Sequence, residues 1–129
     1  MAKIKQFTIS LENRPGALAE VARTLGSAKV NILSLLGTAQ GAGGTADLIV
    51  EDARRARKAL DDAHIAYKET AADQSELPNK PGALADCLSK LATKGVNLNS
   101  ICATATKGGK KAVLVYTVVA AEAKVAPAA

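Results

Sequence analysis

The sequence predicts an α+β protein built from two copies of one small module, the second shorter than the first. The strongest observation is an internal repeat: Asn13-Arg14-Pro15-Gly16-Ala17-Leu18-Ala19 returns as Asn79-Lys80-Pro81-Gly82-Ala83-Leu84-Ala85, an offset of 66. The same offset, taken without a gap, pairs Leu25 with Leu91, Val30-Asn31 with Val96-Asn97, Ser34 with Ser100, Thr38-Ala39 with Thr104-Ala105 and Ala46 with Ala112. About 15 of 38 aligned positions are identical, where chance gives roughly two or three, so the chain is a duplication. The second observation is a change of period around each repeat. Strand-like alternation runs before the first copy, the segment before the second (70–77) is unusually polar, and helical spacing follows both.

The elements follow in order. Phe7, Ile9 and Leu11 alternate with Thr8 and Ser10, the period of a half-buried strand. Pro15 stands where a first helical residue belongs, its φ preset and its missing N–H without consequence. Leu18, Val21, Ala22 and Leu25 form the buried face of that helix, and Leu84, Cys87, Leu88 and Leu91 hold the same phase in the second copy. Gly95 suits the left-handed residue that ends a helix; Lys29 takes that place in the first copy, at some strain or with a different cap. Strands are expected over 30–39 and 96–105, with turns at Gly41-Ala42-Gly43-Gly44 and Lys107-Gly108-Gly109-Lys110. The returning strands span 46–50 and 112–119.

In the first copy a second helix over 52–63 follows, with Ala53, Ala56, Leu60 and Ala63 on one face, and a fourth strand begins at His64. This is the βαββαβ order of ferredoxin-like folds, an antiparallel sheet with its helices on one face. The second copy is truncated to βαββ. One long segment, roughly 64–77, is expected to close the first module and open the second. The organisation is then 1–70 for the complete module, 71–119 for the shortened one and 120–129 as a flexible tail. The missing helix and strand leave an apolar gap that a partner subunit would fill, so at least a homodimer is expected.

Composition limits the function. Nearly half the residues are apolar but mostly small, so modules this size are marginal alone. The charge of +5 is spread out, apart from Arg54, Arg55, Arg57 and Lys58 and then Lys107, Lys110 and Lys111; solvated helix and hairpin surface is the expectation for both groups. Nucleic-acid binding on such a sheet needs exposed aromatics for stacking, and Phe7, Tyr67 and Tyr116 do not form that pattern. Cys87 and Cys102 lie 15 apart with no histidine nearby, which argues against zinc or a redox pair and for buried, reduced thiols. No signal peptide and no apolar stretch of about 20 residues is found, so a cytoplasmic protein is expected. His64 is the only histidine, and no nucleophile–base set or carboxylate pair can be assembled. No catalytic residues, no metal and no cofactor are therefore expected.

The turn between strand and helix is where chemistry is expected. The first N–H groups of a helix point outward and favour an anion. Glycine at 16 and 82 allows close approach to the backbone, while Asn13 and Asn79 offer both donor and acceptor. Asn31 and Asn97 open the next strand, expected at the same end of the module. A carboxylate on the helix N–H groups and an ammonium on amide and carbonyl oxygens would together hold a free amino acid.

These residues carry a resemblance. Leu11-Glu12-Asn13-Arg14-Pro15-Gly16-Ala17-Leu18 followed by Val30-Asn31-Ile32, and Leu77-Pro78-Asn79-Lys80-Pro81-Gly82-Ala83-Leu84 followed by Val96-Asn97-Leu98, resemble the opening of an ACT domain. The first copy is similar to the regulatory domain of phosphoglycerate dehydrogenase and to the small subunit of acetohydroxyacid synthase. Leu11 and Leu77 stand where the former has a histidine two residues before the asparagine. The resemblance implies an allosteric regulatory module that binds a free amino acid at a module or subunit interface, possessing a metabolic enzyme as partner. Carried over by position, it implies a site of Asn13, Arg14, Pro15, Gly16, Ala17, Leu18, Asn31, Ile32 and Leu33. In the second copy it implies Asn79, Lys80, Pro81, Gly82, Ala83, Leu84, Asn97, Leu98 and Asn99. A ligand-free subunit that regulates through protein contacts is the alternative.

Overall fold

In the computed structural model, residues 2–119 are described; the tail expected at 120–129 lies outside them. The chain runs β1 (Ala2–Glu12), α1 (Ala17–Ser27), β2 (Ile32–Gln40), β3 (Gly43–Val50), α2 (Ala53–Asp62), β4 (Lys68–Pro78), α3 (Ala83–Thr93), β5 (Leu98–Ala105) and β6 (Lys111–Val118). Among the described residues six strands and three helices make the expected α+β fold. The chain divides into two compact units, Lys5–Ala71 and the part from Ala72 onward, the latter joined by the start of β1 through Ile4.

In the first unit the strand order is β2-β3-β1-β4. The β1–β3 and β2–β3 ladders are antiparallel, with Phe7 opposite Leu48 and Leu48 opposite Leu35. Residues directly opposite one another share a face, and the face of Phe7, Ile9 and Leu48 is the one that both helices cover. Val21 and Leu25 of α1 and Ala56, Ala59 and Leu60 of α2 close the core over it. Phe7 and Tyr67 meet there with ring centroids 5.4 Å apart. The helix faces differ slightly from expectation. Ala17 is buried and Ala22 exposed in α1, while Ala59 replaces Ala63 in α2. Each shift moves the buried stripe within about one turn, as the 3.6-residue period allows.

All three helices end alike. Val30 N donates to Leu25 O, Ile65 N to Leu60 O and Val96 N to Leu91 O, while Lys29, His64 and Gly95 donate to carbonyls three residues back. This is the Schellman arrangement, with an apolar contact between its ends. Gly95 has φ 77°, and Lys29 and His64 adopt the same left-handed conformation at 65° and 58°. His64 is thus a helix terminator. The strand expected to start there begins four residues later, at Lys68.

From Ala72 onward the order is β4-β6-β5, again antiparallel. With the start of β1 counted, the order β1-β4-β6-β5 repeats the first unit's β4-β1-β3-β2. Among the described residues the place of the fourth strand is taken by the start of β1, and the second helix has no counterpart. Nor is the face left by that helix simply apolar, as expected. Asp73 and Ser75 stand where the first unit has Phe7 and Ile9, opposite Tyr116 and Leu114, and the Ser75 hydroxyl is buried with no hydrogen-bond partner among the described residues. The core here is Leu91, Leu114 and Tyr116, with Leu77, Cys87, Leu88, Val96 and Leu98 packed around it.

The gapless alignment fails after position 105. Leu11 lies opposite Gly44, and its counterpart Leu77 lies opposite Ala112, an offset of 68. The second hairpin is two residues longer, and Ala46 corresponds to Leu114 rather than to Ala112. A bulge is repeated as well: the extra residue is Leu33 between Ile32 and Ser34, and Asn99 between Leu98 and Ser100.

Candidate functional site

The two repeated turns share one geometry. Ala17 N donates to Arg14 O at 3.3 Å and Ala83 N to Lys80 O at 3.2 Å. Gly16 and Gly82 both have φ 88°, with ψ −14° and −17°. This is a type II turn, with proline at its second position and the glycine that positive φ demands at its third. Pro15 therefore sits two residues before the helix, not at its first position. A Cβ at Gly82 would meet nothing within 4 Å, and one at Gly16 only the Arg14 guanidinium at 3.9 Å. Each glycine is there for its backbone angle; a branched side chain would break the turn before it blocked a ligand.

A glycine cap has no side chain to offer the helix. Neither α1 nor α3 receives a side-chain cap, whereas Asp52 caps α2 by accepting from Arg55 N. Ala17 N and Glu20 N are engaged, by Arg14 O and Gly16 O. The N–H groups of Leu18 and Ala19 between them have no intrahelical acceptor. Leu84 and Ala85 repeat this in α3.

The asparagines are already occupied in part. Asn13 Nδ2 donates to Gly41 O at 2.8 Å, and Asn79 Nδ2 to Gly109 O at 2.8 Å and Thr106 O at 3.2 Å. Each ties its turn to the neighbouring hairpin and keeps its amide oxygen for another partner. Arg14 is clamped between carboxylates: Nε donates to Glu12 at 2.8 Å and Nη2 to Glu20 at 3.2 Å. These bonds raise the Arg14 pKa further and hold Glu20 below the usual carboxylate range. The second turn lacks the clamp, with Pro78, Lys80 and Asp86 at the three positions.

A cleft of about 210 Å³ opens where α1 begins, between Leu11, Asn13, Arg14, Ala17 and Leu18 on one side and Gly37, Ala39 and Gly44 on the other. Sequence reasoning missed the second side. Its signal is the run of small residues at strand period, Gly37 and Ala39, facing Gly44. Asn31, Ile32 and Leu33 are not here. Glu12 is level with Gly43 beside Gln40, whereas Ile32 is level with Val50, so within the first unit they sit at the opposite end of the sheet. Asn97, Leu98 and Asn99 are likewise remote from Asn79, because Leu98 pairs with Val118 and Pro78 with Lys111. Among the described residues there is no group of three or more His, Cys, Asp or Glu able to hold a metal, and no helix is long and apolar enough to cross a membrane.

A βαββ core repeated in tandem, each copy opening an uncapped helix from an Asn-basic-Pro-Gly turn, defines a class of duplicated α+β module. Residues 5–65 match the ACT domain. A solved structure of protein BT0572 from Bacteroides thetaiotaomicron is 32% identical, covers 95% of this chain and 84% of its own, and superposes with a TM-score of 0.84. The chain belongs to the ACT domain family. The ligand-free regulatory subunit of aspartate kinase from Thermus thermophilus shares the fold at 16% identity, with a TM-score of 0.69 over 91% of this chain and 84% of that one. The corresponding subunit from Thermus flavus is similar, at 16% identity and 0.65 over 89% and 82%. No functionally curated sequence matches. The likeness of the first copy to the phosphoglycerate dehydrogenase and acetohydroxyacid synthase domains stands on the turn motif alone.

Proposed function

We propose that this chain is a non-catalytic allosteric regulator that binds a free amino acid and passes the signal to a metabolic enzyme in the cytoplasm. The observation that carries the reading is the uncapped start of α1 beside its cleft. Two backbone N–H groups and the positive end of a helix await a carboxylate there, and the Asn13 amide oxygen lies on the same loop. Membership of the ACT family supports it, as does a fold shared with the regulatory subunits of aspartate kinase. In this reading the modules are 1–70 and 71–119. The first site is Asn13 to Leu18 and the second Asn79 to Leu84. Residues 31–33 and 97–99 lie at the far end of their own units, so they complete a site only when another module brings them up. A homodimer at least is therefore part of the proposal, and sedimentation showing only monomer at micromolar concentration would remove that part.

One observation favours the ligand-free alternative. The hydrogen bonds of Asn13 and Asn79 to hairpin carbonyls explain why both copies carry asparagine, without any ligand. Thermal-shift screening of the whole chain, refolded to remove co-purified ligand, against the twenty amino acids separates the readings. A true ligand at 100 times its Kd adds about 2.7 kcal/mol of stability. If none of the twenty shifts the melting temperature at millimolar concentration, the chain regulates through protein contacts alone.

A further inference from the structure

We infer that the first module takes an amino acid with an aliphatic side chain, and that Gly37 sets the size of that side chain. This rests on the amino-acid-binding reading and adds the ligand's class. The cleft beside α1 is open and largely apolar: Leu11, Ala17 and Leu18 line it with strand positions Gly37, Ala39 and Gly44, beside Asn13, Thr38 and Thr45. Its charged groups, Glu12 and Arg14, are bonded to each other, and their side chains are 77% and 45% exposed, which places them at the mouth. A zwitterion's charged end belongs at that mouth with the free N–H groups of α1. An aliphatic ligand side chain gains most there, by covering the apolar surface of Leu11, Ala17 and Leu18. The volume, about 210 Å³, holds roughly seven waters at about 30 Å³ each, enough for one free amino acid.

The space exists because the strand residues opposite α1 are small. Gly44 has no alternative, since a Cβ there would collide with the Thr38 carbonyl. Gly37 is different: a Cβ would rest 3.6 Å from Leu18 Cδ2, an ordinary contact. Its hydrogen is thus not imposed by packing, and a methyl group at 37 would narrow the cleft without disturbing the strand. The second module differs at these positions: by register Ala103 stands for Gly37 and Ala112 for Gly44, so it carries two more methyl groups there. The aliphatic site belongs to the first module.

Calorimetric titration of the full chain with L-leucine, L-valine, L-alanine, L-serine, L-aspartate and L-lysine tests this, in wild type and in Gly37→Ala. Leucine or valine should bind ahead of serine, aspartate and lysine. Gly37→Ala should weaken leucine about tenfold or more, the discrimination one methylene provides, while alanine stays within about twofold. Ala39→Val, which narrows the same cleft with a residue suited to a strand, replaces Gly37→Ala if that variant melts early. Tightest binding of aspartate, lysine or serine would overturn the aliphatic assignment and leave the amino-acid reading standing. Aliphatic binding indifferent to both variants would overturn the placement in this cleft. Binding of none of the six, followed by none of the twenty, removes both readings together.

Discussion

Among the described residues the first unit closes two helices over its sheet and the second closes one, and their cores differ accordingly. The first gathers its core around Phe7, Leu25, Leu48 and Leu60, and the second a smaller one around Leu91, Leu114 and Tyr116. Yet both keep the type II turn, the uncapped helix, the asparagine tie to the hairpin and the bulge after the helix. What duplication preserved is the backbone at both ends of the helix, the turn before it and the bulge after it. The helix-covered face was free to change, as Asp73 and Ser75 in place of Phe7 and Ile9 show. The two units therefore teach that backbone geometry at the helix ends and packing under the helices are separable.

The largest effect should come from emptying the two cores. Leu60→Ala removes a fully buried side chain and should cost about 3 to 5 kcal/mol, against about 2 to 3 for Leu91→Ala in the thinner core. Urea unfolding of both variants measures this, and equal losses would break the comparison. Next are the ties between turn and hairpin. Asn79→Ala loses two hydrogen bonds and Asn13→Ala one, so losses of about 1 to 2 and about 0.5 to 1 kcal/mol are expected. The reverse order would show that the longer second hairpin does not depend on its asparagine.

A smaller and favourable effect is expected at the helix ends. The left-handed conformation penalises a residue with a Cβ by roughly 1 to 2 kcal/mol, and glycine returns roughly half of that as chain entropy in the unfolded state. Lys29→Gly and His64→Gly should each stabilise by about 0.5 to 1 kcal/mol, and Gly95→Lys should destabilise by a similar amount, read as shifts in melting temperature. The smallest concerns the Arg57–Glu69 ion pair, 2.7 Å long and half-buried. Its hydrogen bond from Arg57 lowers the Glu69 pKa. A depressed carboxylate contributes stability above its unfolded pKa, near about 4.3, and loses it as pH falls through the folded value. Glu69→Gln should therefore cost up to about 1 kcal/mol at pH 7 and nothing once Glu69 is protonated in both states, which melting curves across pH 2 to 7 would show.

Much of this fold could be read before it was seen. The repeated heptapeptide carried the duplication, and the helical phase of Val21, Leu25, Cys87 and Leu91 carried the core faces. Other features were hidden by degeneracy. Pro-Gly satisfies both a helix start and a type II turn, because proline's φ near −65° suits both; only the glycine's positive φ decides. The two-residue insertion in the second hairpin was masked by chance identities, Gly43 with Gly109, Ala46 with Ala112 and Leu48 with Leu114, that extend the wrong offset. His64 concealed its role because a helix terminator and a strand start both precede an apolar run. The placement of Asn31 was legible and was misread. A helix that follows a strand carries the chain back, so β2 must begin at the end remote from Asn13. The cleft was not legible, since Gly37 and Gly44 become neighbours only through the register.

The division of the chain has a consequence for its birth on the ribosome. Lys5–Ala71 is one unbroken stretch, and synthesis at roughly 5 to 20 residues per second delivers it whole before the rest exists. The other unit joins Ile4 to residues beyond Ala72, so its first strand must wait, unpaired, while nearly seventy residues are added. A nascent chain stalled once residue 71 has emerged from the ribosome should already resist protease over Lys5–Ala71, while the segment before Lys5 stays open to cleavage until β4 and β6 emerge.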